Sequence, residues 1–350
     1  MTQTTRYSSV LAKIGAERSD LINEAKLKAL AESKNLTELA AQLRDTSYQA
    51  QIAKVLLPLT SRKLERAFNE NLIDTYIKII KYSPKRAREY LSLYLLKFEI
   101  EHIKALMNAT IAKINPEQKL SKIYFSLEDY LKRRLVFEEA AKASTPTQII
   151  HAFKGTEYWS VLNMGLKNYE ENASTVSFDI FLDKLFFEKL YAAYESLAKK
   201  EQHYANFYAS TENDGFALVT LLRGKALNYE PNWLRLVVPQ NYLNLRKPTV
   251  EAIVSAVDFE AAHKIVFDSY YTKYFVKAQT PEETIAAAGK ALRKAVLQHA
   301  KSSAISEAFN IGSPLAFMTQ KETEVYNLIV LSLGVDGAMK PEEIRNQLLL

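Results

Sequence analysis

Residues 64–80 read LERAFNENLIDTYIKII. Leu64, Phe68, Leu72, Tyr76, Ile79 and Ile80 recur at intervals of three and four, the period of one face of an α-helix. Thr60 or Ser61, just upstream, supplies an N-cap. The same apolar positions return twice. Phe68, Leu72 and Ile73 become Leu182, Phe186 and Phe187, and then Leu292, Val296 and Leu297. From Val176 the alternation Val176, Phe178, Ile180, Leu182 also scores as a strand, and its alignment with the 64–68 stretch decides for helix, because repeats share local structure.

Working outward, each copy opens with a Tyr two residues after Thr or Ser and closes with a small residue seven places before a Pro. The landmarks are Thr46, Tyr48, Ala109 and Pro116; then Thr156, Tyr158, Gly224 and Pro231; then Ser269, Tyr271, Gly334 and Pro341. Copies about 110 residues apart are one supersecondary unit used three times. The expected fold is all-α, with three pseudo-threefold-related helical units at 36–145, 146–258 and 259–350. The third copy ends soon after Pro341, and residues 1–35, with the stripe Tyr7, Val10, Leu11, Ile14, Leu21 and Ile22, are expected to complete it and close a ring.

Each Pro reads as a helix start: Pro fits the first turn, where its missing N–H costs nothing, and Asn115 can cap the first of them. Ser83-Pro84 is read the same way, with Ser as cap of a helix running to about Ala109. An irregular turn is expected at Leu236-Val237-Val238-Pro239. Nine Gly and ten Pro in 350 residues, against abundant Leu, Ala, Lys and Glu, favour long helices over a sheet.

Ten residues before each small residue stands a carboxylate: Glu99, Asp214 and Glu324. Apolar residues follow each at helical spacing, Ile103 and Leu106, Leu218 and Leu221, Leu328 and Leu331. An acid at the edge of such a stripe needs a partner, since unpaired burial costs several kcal/mol. Two roles stay open for these acids: an ion pair holding neighbouring helices, or an acidic set around a pseudo-axis facing a partner. Lys97, Glu101 and Lys104 form favourable neighbours on one helix face. Tyr270, Tyr271, Tyr274 and Phe275 read as core or interface side chains before they read as base-stacking platforms.

Chemistry-bearing patterns fail in turn. Zero Cys excludes disulfides, thiolate metal sites and cysteine nucleophiles. Leu222-Arg223-Gly224-Lys225 lacks both the earlier Gly and the following Ser or Thr of a phosphate loop. His102, His151, His203, His263 and His299 offer no pair at ligand spacing on one helix. No clustered aspartates for magnesium and no serine nucleophile elbow are present. No catalytic residue, cofactor or metal is expected. A formal net charge of +6 permits an acidic partner without specifying one. The start, MTQTTRYSSVLAKIGAERSD, lacks the apolar core of a signal peptide, and no uncharged apolar run approaches ~18 residues, so no direct membrane span is expected.

Phe309-Asn310-Ile311-Gly312-Ser313-Pro314-Leu315-Ala316-Phe317, continuing through Lys321-Glu322-Thr323-Glu324-Val325-Tyr326-Asn327-Leu328 to Gly334 and Pro341-Glu342-Glu343-Ile344, resembles the C-terminal signature of the C subunit of archaeal and bacterial rotary ATPases, the family of the eukaryotic d subunit. Phe98-Glu99-Ile100-Glu101-His102-Ile103-Lys104 resembles that family's first-copy motif and Leu221-Leu222-Arg223-Gly224-Lys225 its second; the 7–22 and 36–48 segments fit as well. Ser332, Leu333 and Val335 depart from it where the family often carries Leu-Arg and Lys, which bears on a basic contact in the third copy.

The resemblance implies a funnel of three helical units with a central cavity and no catalytic site. It implies a central-stalk adaptor on the cytoplasmic side, peripheral to the membrane, with the central-shaft subunits and the membrane rotor (proteolipid) ring as partners. Such an adaptor would transmit torque for proton or sodium transport coupled to ATP. Ala109, Gly224 and Gly334 are expected to line the socket for the shaft. The competing reading is a helical-repeat scaffold that binds protein or nucleic acid through a basic surface; copies this long argue against a solenoid, and nucleic acid is not expected as a partner.

Overall fold

The computed structural model describes residues 3–172, 175–306 and 308–350; Met1 and Thr2 of the 1–35 segment lie outside them. Among these residues every regular element is helical. In chain order the helices are α1 (Gln3–Ser19), α2 (Glu24–Leu30), α3 (Leu36–Gln42), α4 (Gln49–Ile52), α5 (Ser61–Tyr82), α6 (Lys85–Leu91), α7 (Leu93–Ile111), α8 (Pro116–Leu120), α9 (Phe125–Leu131) and α10 (Arg134–Lys142). There follow α11 (Pro146–Ala152), α12 (Trp159–Asn172), α13 (Val176–Ser196), α14 (Lys199–Ala226), α15 (Pro231–Val237), α16 (Lys247–Ser255), α17 (Phe259–Phe267), a 3-10 turn at Thr272–Tyr274, α18 (Pro281–Ser306), α19 (Gly312–Asp336) and α20 (Pro341–Gln347). None of them is long and apolar enough to cross a membrane.

The chain forms two compact units. One comprises Met1–Arg88 with Leu297–Leu350. Within it α5 packs along α19, α1 lies against both, and α2 and α3 rest on α19. Every residue of the stripe that identified α5 is buried, from Leu64 to Ile80, and each large apolar side chain so removed from water contributes about 1.5–3 kcal/mol. Thr60 starts α5 by accepting the Lys63 N–H at 3.3 Å.

The other unit comprises Glu89–Val296. Here α13 packs against α7, α12 and α14, and α17 lies on α14 and α16. The ambiguous 176–182 alternation is helical, because Phe178, Leu182, Phe186, Phe187 and Leu190 form one buried face at helical spacing.

Two local expectations are corrected. Ser83 is the C-cap of α5 and not the N-cap of the helix that follows, which starts at Lys85. Its hydroxyl donates back to the Ile79 carbonyl at 2.8 Å, so it closes α5, and the helical run that follows is broken at Ser92 between α6 and α7. The stretch 236–239 is not wholly irregular either: α15 continues to Val237, whose side chain is buried, and the chain turns only after it.

Candidate functional site

The three helices that carry the repeated acids, α7, α14 and α19, end in one geometry. Lys113, Asn228 and Ala338, each 14 residues after its acid, adopt left-handed φ of 56°, 57° and 52°. The next N–H, of Ile114, Tyr229 or Met339, donates back to the carbonyl of Ala109, Gly224 or Gly334 at 2.9, 2.8 and 2.9 Å. This is the Schellman closure of a helix C-terminus, made three times. The chain then turns and restarts with Pro116, Pro231 or Pro341 in the first turn of α8, α15 or α20.

The small residues follow from that turn. A Cβ on Gly224 would fall 2.2 Å from Leu234 Cδ2, and one on Gly334 would fall 2.6 Å from Ile344 Cγ1. Leu234 and Ile344 sit at the same place in α15 and α20, ten residues on. The close approach that Gly224 and Gly334 permit is therefore made to the chain's own next helix, and Ala109, Gly224 and Gly334 are all buried.

The three tyrosines are buried, and each meets one of the three acids. Tyr158 Oη donates to Glu99 Oε2 at 2.5 Å, Tyr271 Oη to Asp214 Oδ2 at 2.9 Å, and Tyr48 Oη to Glu324 Oε1 at 2.6 Å. In every case the tyrosine belongs to the copy following the one that supplies the acid, the first copy following the third. Each pair lies inside one compact unit. The Thr or Ser two residues earlier builds the approach. Thr46, Thr156 and Ser269 hydroxyls donate to Leu43, Phe153 and Val266 carbonyls at 2.6, 2.7 and 2.6 Å, and each accepts the Tyr N–H at 3.2–3.3 Å. A hydroxyl in that position makes a tight local turn that fixes the tyrosine backbone.

The acids are satisfied in different ways. Glu324 is 2.7 Å from Lys321 Nζ and also accepts the Ile22 N–H. Glu99 faces Arg133: Nη1 is 3.1 Å from Oε1, with its hydrogen bond directed at Oε2 at 3.2 Å. In both sites the cation also stands over the tyrosine ring, Lys321 at 4.2 Å from Tyr48 and Arg133 at 5.4 Å from Tyr158. Among the described residues Asp214 has no cation as a partner. The N–H groups of Leu243, Asn244 and Leu245 donate to it at 3.0, 2.7 and 2.8 Å, and Asn213 Nδ2 adds a fourth bond at 3.0 Å. Several charge-assisted bonds to one carboxylate offset its desolvation as a cation would.

Around Glu99 lies a second buried acid. Tyr124 N–H donates to His102 Nε2 at 3.1 Å, which makes Nε2 the acceptor and leaves Nδ1 to donate to Glu128 Oε1 at 2.6 Å. Among the described residues Glu128 Oε2 has no hydrogen-bond partner. Burial pushes the Glu128 carboxyl up to about 9, with the neighbouring Glu99 charge adding to it. Burial also raises Glu99, to about 7, against the opposing pull of Arg133 and Tyr158. Burial beside these acids lifts the Tyr48 and Tyr158 hydroxyls well above the ordinary phenol range, so they remain donors.

The acids and tyrosines that the sequence singled out are thus brought together in pairs. Sequence reasoning missed their cations and the His102–Glu128 pair. Lys321 was legible, three residues before Glu324 on the same helix face. His102 and Asn327 also share a repeat position, three after the acid, and both reach the segment that follows their helix: Asn327 exchanges two bonds of 2.8 Å with Leu349. Arg133 carried no spacing signal. Lys97 pairs with Glu212 at 2.5 Å, while Lys104 bridges Glu101 and Asp183 at 2.9 and 2.7 Å. Tyr271, Tyr274 and Phe275 are core, and Tyr270 is exposed.

Residues 10–347 match the family model for the ATP synthase (C/AC39) subunit. The chain is 29% identical over 347 residues to the A-type ATP synthase C subunit of Methanocaldococcus jannaschii, covering 98% of this chain and 86% of that protein. It is 25% identical over 350 residues to the protein of the same name from Methanosphaera stadtmanae, at 98% and 88% coverage. The Pyrococcus abyssi protein of that name is 25% identical over 344 residues, at 97% and 90%.

Proposed function

Because the chain belongs to the ATP synthase (C/AC39) subunit family, we propose that it is the non-catalytic central-stalk adaptor of a rotary ATPase, coupling the shaft subunits to the membrane rotor ring. The observation that carries this reading is the cyclic order of the tyrosine–acid pairs. The second copy's Tyr158 holds the first copy's Glu99, the third copy's Tyr271 holds Asp214, and the first copy's Tyr48 returns to Glu324. Such an order supports three helical units, 36–145, 146–258 and 259–350 with 1–35, closed around a pseudo-threefold axis as a funnel with a central cavity.

A torque adaptor must not yield under load. Each lock here is a buried, charge-assisted hydrogen bond set in close-packed helices, and such interiors have low compressibility. The cavity would receive the helical tip of the shaft, with apolar contacts setting strength and rim charges setting orientation. The protein would then be peripheral to the membrane on its cytoplasmic side.

The decisive experiment is purification of the native protein after gentle solubilisation of membranes. Co-purification with the shaft and the rotor ring is expected, and loss of it on charge-preserving disruption of the locks by Tyr48→Phe with Tyr158→Phe. Isolation as a free monomer, or salt-dependent retention on nucleic acid in place of those partners, would reject the assignment.

A further inference from the structure

In two of the three copies the helix carrying the repeated apolar face packs along an acid-bearing helix, α5 on α19 and α13 on α7. The third pair, α18 and α14, meets at Gly215, where an added Cβ would lie 3.1 Å from Leu292 Cδ1. Beyond that approach a groove of about 500 Å³ is lined from both helices. Val219, Ala226 and Ile285 give it an apolar floor, and the half-buried Gly289 offers open space, since a Cβ there would meet nothing within 4 Å. Among the described residues that line it, the exposed charged ones are Arg223, Lys290, Arg293 and Glu282.

We propose that this groove docks an acidic amphipathic helix of a partner protein. The place is one where the other two copies put a helix against a helix, and its floor accepts an apolar stripe of the usual three-and-four spacing. The surplus of basic side chains at the rim selects carboxylates flanking that stripe and disfavours a basic helix by like-charge repulsion. Leu227, exposed to 55% at the end of α14, extends the apolar surface. The inference rests on the chain working inside a complex, as read above.

The chain contains no Cys, so Ala286→Cys places a unique thiol in the groove. Its maleimide labelling is measured in the full-length protein alone and in the purified membrane complex, with helicity by circular dichroism confirming the fold of each variant. At least tenfold slower labelling in the complex is expected. Carbodiimide, which joins an amine to a carboxylate with no spacer, is expected to link Lys290 to an Asp or Glu of a partner helix. Arg223→Glu with Lys290→Glu should weaken protection of the thiol at least tenfold. Equal labelling in a complex that still contains the chain overturns the groove inference alone. Protection that disappears on nuclease or lipid removal overturns it too, by naming a different occupant. Failure to co-purify at all overturns the complex and this inference together.

Discussion

Tyr48 and Glu324 are 276 positions apart in the chain and share a 2.6 Å hydrogen bond, Oη donating to Oε1, with Lys321 Nζ 2.7 Å from the same oxygen. Removing the phenol oxygen leaves the ring's packing in place and takes one donor from a buried carboxylate. Tyr48→Phe and Tyr158→Phe are each expected to cost about 1.5–3 kcal/mol, the range for a hydrogen bond to a charged group. Tyr271→Phe should cost less, since Asp214 keeps its backbone donors. Urea unfolding followed by circular dichroism ranks the three; an equal or larger loss for Tyr271→Phe would contradict the accounting.

Asp214 tests the backbone cage directly. An Asn there turns an NH₂ group toward the donors at 243–245, and the loss is expected to exceed about 3 kcal/mol, as for breaking a buried charged network. Thermal unfolding of Asp214→Asn against Asp214→Ala separates the effects. Asn should be no better than Ala, although it conserves shape.

Glycine to alanine inside a helix ordinarily gains about 1 kcal/mol. At Gly224 and Gly334 the sign should reverse, to a loss of about 1–3 kcal/mol, because the new methyl overlaps Leu234 or Ile344. Gly15→Ala, where a Cβ meets nothing within 4 Å, is the control and should stabilise. Pairing Gly224→Ala with Leu234→Ala should recover part of the loss in a double-mutant cycle.

Ala338 holds a left-handed φ of 52° at the end of α19. Such a conformation costs an L-residue roughly 1–2 kcal/mol and costs glycine little. Ala338→Gly is therefore expected to raise stability by up to about 1 kcal/mol, read from the denaturation midpoint at unchanged slope.

Glu128 predicts a pH dependence. Its carboxyl titrates near 9 in the folded chain and near 4.5 in the unfolded one, so between those values the folded state holds a proton that the unfolded state has released. Stability therefore falls as pH rises through that window, by at most about 1.4 kcal/mol for each step of one in pH. Glu128→Gln removes the titration. The variant should gain on the parent steadily from pH 5 to pH 9, and parallel stability curves would refute the raised carboxyl.

Periodicity and spacing by themselves were enough for the all-helical class, for the helices at 61–82 and 176–196, and for the recurring residues: an acid, a tyrosine with its hydroxyl-bearing neighbour, a small residue and a Pro. Those features are local, or repeat at fixed separations, so they can be counted along the chain. Only the tertiary structure decided which acid meets which tyrosine, because 48 and 324 are brought together by packing of α4 on α5 and of α3 and α5 on α19. It alone decided that Arg133 compensates Glu99, that backbone N–H groups compensate Asp214, and that Gly224 and Gly334 make room for Leu234 and Ile344 of the next helix. Compensation of a buried charge depends on whatever donor lies within about 3 Å in space, and one spacing along the sequence was met in three copies by three different donors.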